Sequence, residues 1–444
     1  MDQEDLLRIV RNSFPAQLNG PRKIGCEEEF LVTDAEGNPA DCRILFTLLG
    51  KMGWKLLYDD IYPKVLVGAR DPQRNVTITT DAGWAVLEVI FPPHSNLHEA
   101  AELYDLVIDL IVTVLQKQGQ HLLGLGVQPK LKPDADNWAK KGRYDAVRGL
   151  LPEDVNRITM SASTQVHIDL TQDEMVPAAI TFNALTGVII GLFANSPITQ
   201  GQLSLHKALR GLFWDSLVPR GSHRHGLIQE CEDLTGYLRQ TALGEQLFLI
   251  RFNEQTRVYE PLPPGTRFQD YIAGIKDEAE LVEAYRIHES FLWFSSRLRQ
   301  RFGTLEIRPA CQQPREARLA LAAFSLGLAE MLPEAYKTIK HYTKRYGWDI
   351  WQKFYINATQ NGLQARVWDI PIARLAGRVL ELAKTGLEKR KQGEEEFLEP
   401  LFDRLRQGEL PADQVVRVFQ EGGIPAVVKH CSYQTANVGS RTSS

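Results

Sequence analysis

The chain has 444 residues, of which 43% are hydrophobic and 24% charged, and a formal net charge of −4. Such a composition is that of a globular chain with a sizeable core, and the near-balanced charge gives no reason to expect nucleic acid or an acidic membrane as a partner. Five scattered cysteines (Cys26, Cys42, Cys231, Cys311, Cys431) with no Cys-X-X-Cys pair suggest neither a disulfide framework nor a thiolate zinc site.

The acidic start Met1-Asp2-Gln3-Glu4-Asp5 has no signal-peptide pattern, and the apolar stretch Leu103 to Leu115 carries Asp105 and Asp109 and is too short to span a bilayer. A cytoplasmic location is the expectation. Glu4 to Ser13 reads as a short amphipathic helix. Lys23 to Thr33 reads as a strand closing at the turn Asp34 to Asn38. Side chains alternate on a strand, so Glu27 and Glu29 share one face while Cys26, Glu28 and Phe30 share the other. Two carboxylates on one face repel unless water screens them or cations neutralise them.

Cys42 to Met52 reads as a helix and Trp54 to Tyr58 as a strand. Asn75 to Phe91 reads as a hairpin turning at Asp81-Ala82-Gly83, with Asp81 as a turn residue. Glu88 lies among Val86, Leu87, Val89, Ile90 and Phe91, and a carboxylate in such company needs an arginine or a metal as partner. Asn96 with Glu99 predicts a capped helix to about Gln118, and Leu122 to Val127 another strand. The cluster Lys140, Lys141, Arg143, Tyr144 reads as a solvated face. Thr159 to Leu170 reads as a strand with Gln165, His167 and Asp169 on one face. The short neutral polar groups there, Ser161, Ser163, Gln165 and His167, suit the lining of a site better than a solvated edge.

Glu174 to Phe193 reads as helical. Leu217 to Ser222 spells a thrombin-type tag sequence but lies mid-chain between ordinary elements and reads as a native loop tip open to proteases, and Thr256 to Ile275 reads as a surface excursion. Arg301 to Cys311 reads as a strand with Glu306 and Arg308 on one face, where they can pair with each other. From Arg315 onward the pattern is helical. Lys389 to Glu396 reads as a solvated helix end or linker, and residues 433–444 as a polar, disordered tail.

No phosphate-binding glycine loop, nucleophile elbow or His-Glu-X-X-His motif is present. The remaining candidates are Glu27, Glu29, Glu88, Gln165, His167, Glu306 and Arg308. An oxygen-rich set with one histidine and no cysteine selects Mg²⁺ or Mn²⁺, and several such ions together suit phosphoryl transfer.

Taken in order, the motifs resemble those of the glutamate–cysteine ligase family, in the branch of plant and many bacterial enzymes and the wider carboxylate–amine ligases. Gly25-Cys26-Glu27-Glu28-Glu29-Phe30 is similar to its Gly-X-Glu-X-Glu-Phe strand. Thr164 to Asp169 is similar to its X-Gln-Val-Asn-Leu-Asp strand, and Phe193 to Gly201 to its Phe-Ala-Asn-Ser-Pro segment. Arg210 through Trp214, Arg224-His225-Gly226 and Leu305 to Ala310 resemble its Arg-X-X-X-Trp, Arg-X-Gly and Leu-Glu-X-Arg-Pro-Ala. His167 stands where the plant-like branch has Asn, Cys311 where an acidic residue is common, and Asp81 near a position often held by Glu. These departures leave the acceptor amine open.

The resemblance implies an α+β fold of the glutamine synthetase and guanidino kinase kind: a curved, mostly antiparallel sheet forming a funnel with helices outside. It implies a single catalytic domain over residues 1–432, helical from about 315. It implies ATP and two or three Mg²⁺ ions, with Mn²⁺ as a substitute, and a γ-glutamyl phosphate intermediate. Glu27, Glu29, Glu88 and Glu306 are the implied metal ligands, with His167 near the nucleotide or a metal. Gln165, Arg210 and Arg308 are implied to bind the substrate carboxylate or the transferred phosphoryl group, and Arg224 a phosphate. The implied partners are small molecules: glutamate, an amine such as cysteine, and ATP. The implied assembly is a monomer or homodimer. A different acceptor, a non-catalytic binding protein and a guanidino kinase on the same fold stay open as alternatives.

Overall fold

The computed structural model describes residues 1–215 and 223–435. The predicted loop Leu217 to Ser222 lies outside the described residues. Nine strands form one sheet: β1 (Ile24–Thr33), β2 (Lys55–Tyr58), β3 (Leu66–Asp71), β4 (Val76–Thr80), β5 (Val86–Ile90), β6 (His121–Leu123), β7 (Thr164–Asp169), β8 (Ser296–Arg299) and β9 (Thr304–Ile307). Their order is β8-β9-β7-β1-β5-β4-β3-β2. β6 pairs with the last residues of β1, past the point where β7 leaves the same edge. Every pairing in the sheet is antiparallel.

Alternation along the strands divides the sheet into two unlike faces. Cys26 and Phe30 of β1, Val166 and Ile168 of β7, and Leu305 and Ile307 of β9 are all buried. The helix Ala320–Glu330 packs on β7 and β1, and the helix Met175–Ala184 packs on β8 and β9. Glu28 points into this core face with no exposed surface, accepting from Thr164 Oγ1 at 2.9 Å and Gln312 Nε2 at 2.9 Å. Behind the first helical layer lies the helix Ile372–Arg390. It meets Ala320–Glu330 backbone to backbone at Gly327 and Gly386, where a Cβ on Gly327 would strike the Ala383 carbonyl and one on Gly386 the Gly327 carbonyl.

The region from about residue 315 is largely helical, as the pattern predicts, and includes the helix Asp349–Asn361. Among the described residues no single helix is long and apolar enough to cross a membrane. Several local expectations need correcting. The stretch Lys389 to Glu396 is no solvated linker: Glu394 has no exposed surface, pairs with Arg390 at 2.6 Å and accepts the Leu97 N–H at 2.9 Å, tying the helix end to the start of Leu97–Gln116. Thr256 to Ile275 is only partly a surface excursion, because Phe268 is fully buried. The strand expected from Thr159 is regular only from Thr164, a 3₁₀ segment occupying Glu153–Met160. Tyr433 is not the start of a free tail. It is 3% exposed and donates to the Gln313 carbonyl at 3.0 Å; residues 436–444 lie outside the described part.

Candidate active site

Register brings the polar residues together. Glu27 stands opposite Gln165, Glu29 opposite Glu88, and Glu306 opposite both His167 on one side and Arg297 on the other. Cross-strand partners share a face. The inner face of β8-β9-β7-β1-β5 therefore carries a continuous polar band over a cavity of about 330 Å³. Glu27, Glu29, Asp81, Glu88, Gln165, Glu306 and Arg308 all line it.

The β1-β5 end of this cavity is acidic. Glu29 accepts from Ser163 Oγ at 2.8 Å and from the Gln165 amide. Burial, with the charge of Asp81, pushes its carboxyl up to about 7 against the pull of Arg210 and Arg308. Glu88 is held well above its ordinary range, by burial first and then by Asp81, Glu27 and Glu29. Asp81 is thus more than a turn residue. Buried carboxylates crowded together, with Glu29 and Glu88 both harder to ionise than usual, form a donor set suited to a hard dication. The residues present fit Mg²⁺ chemically: Glu29, Glu88 and Asp81 on one side, Glu27 with His167 and Glu306 on the other. Among the described residues no three His, Cys, Asp or Glu side chains already stand close enough to share one ion.

The opposite end is basic. Glu306 has no exposed surface and is gripped by Arg297 at 2.9 Å, by Arg299 and by Arg308. Burial works against its charge, but the three guanidiniums hold it well below the usual carboxylate range. The pairing of Glu306 with Arg308 suggested by their spacing is present. Arg308 also donates to Gln165 Oε1 at 2.5 Å. Between the two ends, His167 Nε2 lies 3.0 Å from Glu27 and 4.0 Å from Glu306, and its Nδ1 lies 3.1 Å from Thr304 Oγ1. Burial raises Glu27, but His167 outweighs it and brings the carboxyl below its ordinary value.

Arg210 sits beside this band. Its guanidinium donates to the Arg308 carbonyl at 3.2 Å and lies over Trp214, whose ring also carries Arg308 at 5.7 Å. Arg224 is placed elsewhere. It is 1% exposed, outside the cavity lining, and donates to the Phe291 carbonyl at 3.1 Å. Its burial lowers its pKa to about 9.

Sequence reasoning passed over Arg297 and Arg299, on the strand Ser296–Arg299, and misread the cluster at Lys141. Lys141 donates to Thr79 Oγ1 at 3.2 Å and to the Thr80 carbonyl, while Arg143 and buried Tyr144 line the cavity facing Glu88. Burial lowers the Lys141 ammonium below its ordinary range despite the nearby Glu88. The detectable signal was its proximity to an aromatic pair, Trp138 and Tyr144, which pack edge to face at 5.5 Å. Phe302, 54% exposed at the cavity mouth, stands edge-on to His167.

A cavity with carboxylates at one end and guanidiniums at the other, on one antiparallel sheet, is the candidate active site of an enzyme. No cysteine lines it, and the hydroxyl of Ser290 at its rim is engaged with the Ile287 carbonyl at 2.7 Å. The chain belongs to the glutamate-cysteine ligase family 2 (GCS2), whose family model matches residues 23–430.

Among curated relatives it is similar to the chloroplastic glutamate–cysteine ligase of Medicago truncatula, 23% identical over 368 residues, 80% of this chain and 69% of that protein. It is also similar to the chloroplastic glutamate–cysteine ligase A of Oryza sativa subsp. indica, 23% identical over 389 residues, 85% of this chain and 76% of that one. The fold is similar to that of the glutamate–cysteine ligase of Francisella tularensis solved in complex with AMP, with a TM-score of 0.54 at 13% identity, covering 94% of this chain and 88% of that one. It is also similar to the bifunctional glutathione synthetase of Pasteurella multocida, with a TM-score of 0.53 at 14% identity. That match covers 98% of this chain, which spans about half, 52%, of the Pasteurella chain.

Proposed function

We propose that the protein joins the γ-carboxylate of L-glutamate to the amine of L-cysteine, using ATP and passing through γ-glutamyl phosphate, with two or three Mg²⁺ ions and in the cytoplasm. The observation that carries this reading is the opposition of Glu27, Glu29 and Glu88 to Arg297, Arg299 and Arg308 across one cavity, with Arg210 beside it. A free carboxylate is a poor acyl donor, because its leaving group would be oxide; phosphorylation replaces that with phosphate. Metal ions held at Glu27, Glu29 and Glu88 of the acidic end, and at Glu306 facing them, would neutralise the triphosphate and the approaching carboxylate.

The chain's own residues supply the rest. Arg308 presents a planar fork matched to a carboxylate or a phosphoryl group, and its contact with Gln165 fixes the fork's angle. Arg210, braced on the Arg308 carbonyl, adds a second guanidinium to the same wall. The three arginines around Glu306 hold its carboxyl well below the usual range, and Glu306 in turn fixes their guanidiniums at the cavity wall.

The test is ¹⁸O transfer. Glutamate labelled in its γ-carboxylate should pass one labelled oxygen into released phosphate, and only when ATP, Mg²⁺ and a productive amine are present together. A panel of single amines fixes the acceptor. Unlabelled phosphate alongside genuine amide product would sink the acyl-phosphate route.

A further inference from the structure

Arg210, Trp214, Arg308, His225, Trp293 and Tyr355 line a recess that shares Trp214, Trp293 and Arg308 with the cavity. The resemblance to known motifs sets only the residues flanking His225, Arg224 and Gly226. The position of His225 is nevertheless well determined. It pairs with Trp293 in a short parallel bridge, ahead of Gly226 at φ +81°, a conformation that favours glycine. Its ring lies nearly parallel to Trp214, with centroids 6.3 Å apart.

His225 Nδ1 is 2.8 Å from Asp215 Oδ1, and Tyr355 donates to the same oxygen at 2.9 Å. An ionised carboxylate only accepts, so in the neutral ring Nδ1 carries the proton and Nε2 keeps its lone pair. The charged and titratable groups around the ring are Asp215 and Arg210 from the helix Leu209–Asp215, Tyr355 from Asp349–Asn361, Arg308 after β9, and His223 on its own segment. Burial and the two arginines lower the imidazole's pKa, while Asp215 works the other way, and the net shift is below the ordinary value. The balance favours the neutral ring.

We propose that His225, oriented by Asp215, takes the proton from the incoming amine. The proposal rests on the ligase reading above. At neutral pH an amino acid arrives as an ammonium ion and has no lone pair for attack. One N–H proton passes to His225 Nε2, and the freed pair forms the C–N bond at the acyl carbon. The phosphate departs with the C–O bonding pair and takes the second N–H proton. Amide, hydrogen phosphate and imidazolium result, so atoms and charge balance. A recess that already holds two guanidiniums beside the ring repels the ammonium form and favours its loss of a proton.

The test compares two acceptors with one variant. His225→Gln keeps a polar side chain of similar reach but cannot take a proton. Hydroxylamine, largely unprotonated at neutral pH, needs no such acceptor and traps the acyl phosphate as a hydroxamate. The variant should lose roughly 100-fold or more of its cysteine-dependent rate, while hydroxamate formation and the KM for ATP stay within about threefold of wild type. The acidic limb of the kcat/KM profile for cysteine should move to that of the amine itself. Asp215→Asn should give the same acceptor-selective loss, because an amide N–H donated to Nδ1 forces the ring proton onto Nε2. Equal losses with both acceptors, or an unchanged cysteine rate, would overturn the assignment. A wild-type protein that forms neither amide nor hydroxamate overturns the ligase reading itself, and is told apart because no variant is needed to see it.

Discussion

Glu29 and Glu88 face each other as register partners on adjacent strands, both made harder to ionise by burial and by Asp81, and Glu88 by Glu29 as well. Protons and dications therefore compete for the same oxygens. With Glu29 at about 7, apparent Mg²⁺ affinity should rise between about pH 6 and pH 8, and binding should release protons. Calorimetry in buffers of different ionisation enthalpy reads the proton count directly. Glu29→Gln, like Glu27→Gln, should abolish turnover while circular dichroism stays native. A near-normal rate at saturating Mg²⁺ would remove either residue from the metal site.

Arg308→Lys keeps the charge and loses the fork. Arg308 reaches Glu306 and Gln165 together, which one ammonium on a flexible stem cannot reproduce. The expected loss in kcat/KM for glutamate is about 100-fold, or roughly 3 kcal/mol. Wild-type kinetics in the lysine variant would leave Arg308 as only the structural partner of Glu306.

Glu28 offers a stability test separate from catalysis. Its burial raises the carboxyl to about 8 from an ordinary 4.5, with Gln312 and Thr164 opposing. Below about pH 4.5 the acid is protonated whether the chain is folded or not. Between about pH 4.5 and pH 8 only the folded state holds the proton, so stability falls as pH rises, and above that range the loss is complete. Glu28→Gln can keep both hydrogen bonds, accepting from Gln312 and donating to Thr164. The variant should gain on wild type by roughly 3–5 kcal/mol across that interval in metal-free buffer. Parallel stability curves against pH would show that Glu28 ionises normally.

Gly327→Ala and Gly386→Ala should each destabilise the protein by about 2 kcal/mol or more, since a methyl group meets backbone rather than a side chain able to turn away. Denaturant midpoints check this. The pair should be non-additive, because the first substitution already parts the two helices.

The carboxylates were legible in the sequence because period-two alternation in β1, β5, β7 and β9 places them among apolar neighbours. Their guanidinium partners were not. Arg297 and Arg299 lie on a short strand whose burial follows only from pairing with β9, a contact made in three dimensions. Gln312, which holds Glu28 from the far side of the sheet, carries no local pattern at all. Glu394 reads as one more member of an acidic run, and only the arrival of Arg390 and the Leu97 N–H distinguishes it. Lys141 misled for the converse reason, since a lysine beside another lysine reads as surface until the Thr79 and Thr80 acceptors are in place.

β1 carries three consecutive glutamates, of which the middle one serves the core and the outer two the cavity. Genes also change by insertion and deletion, and this strand leaves no room for either. Loss of one codon at Gly25 would slide the run by a single position and turn every side chain over. Glu28 would enter the cavity, while Glu27 and Glu29 would be driven against Thr164 and Gln312, which can satisfy only one carboxylate. Length variation in this part of the chain is therefore expected in the turn Asp34 to Asn38 and never between Ile24 and Phe30. A library that varies residues in the site must hold that spacing fixed.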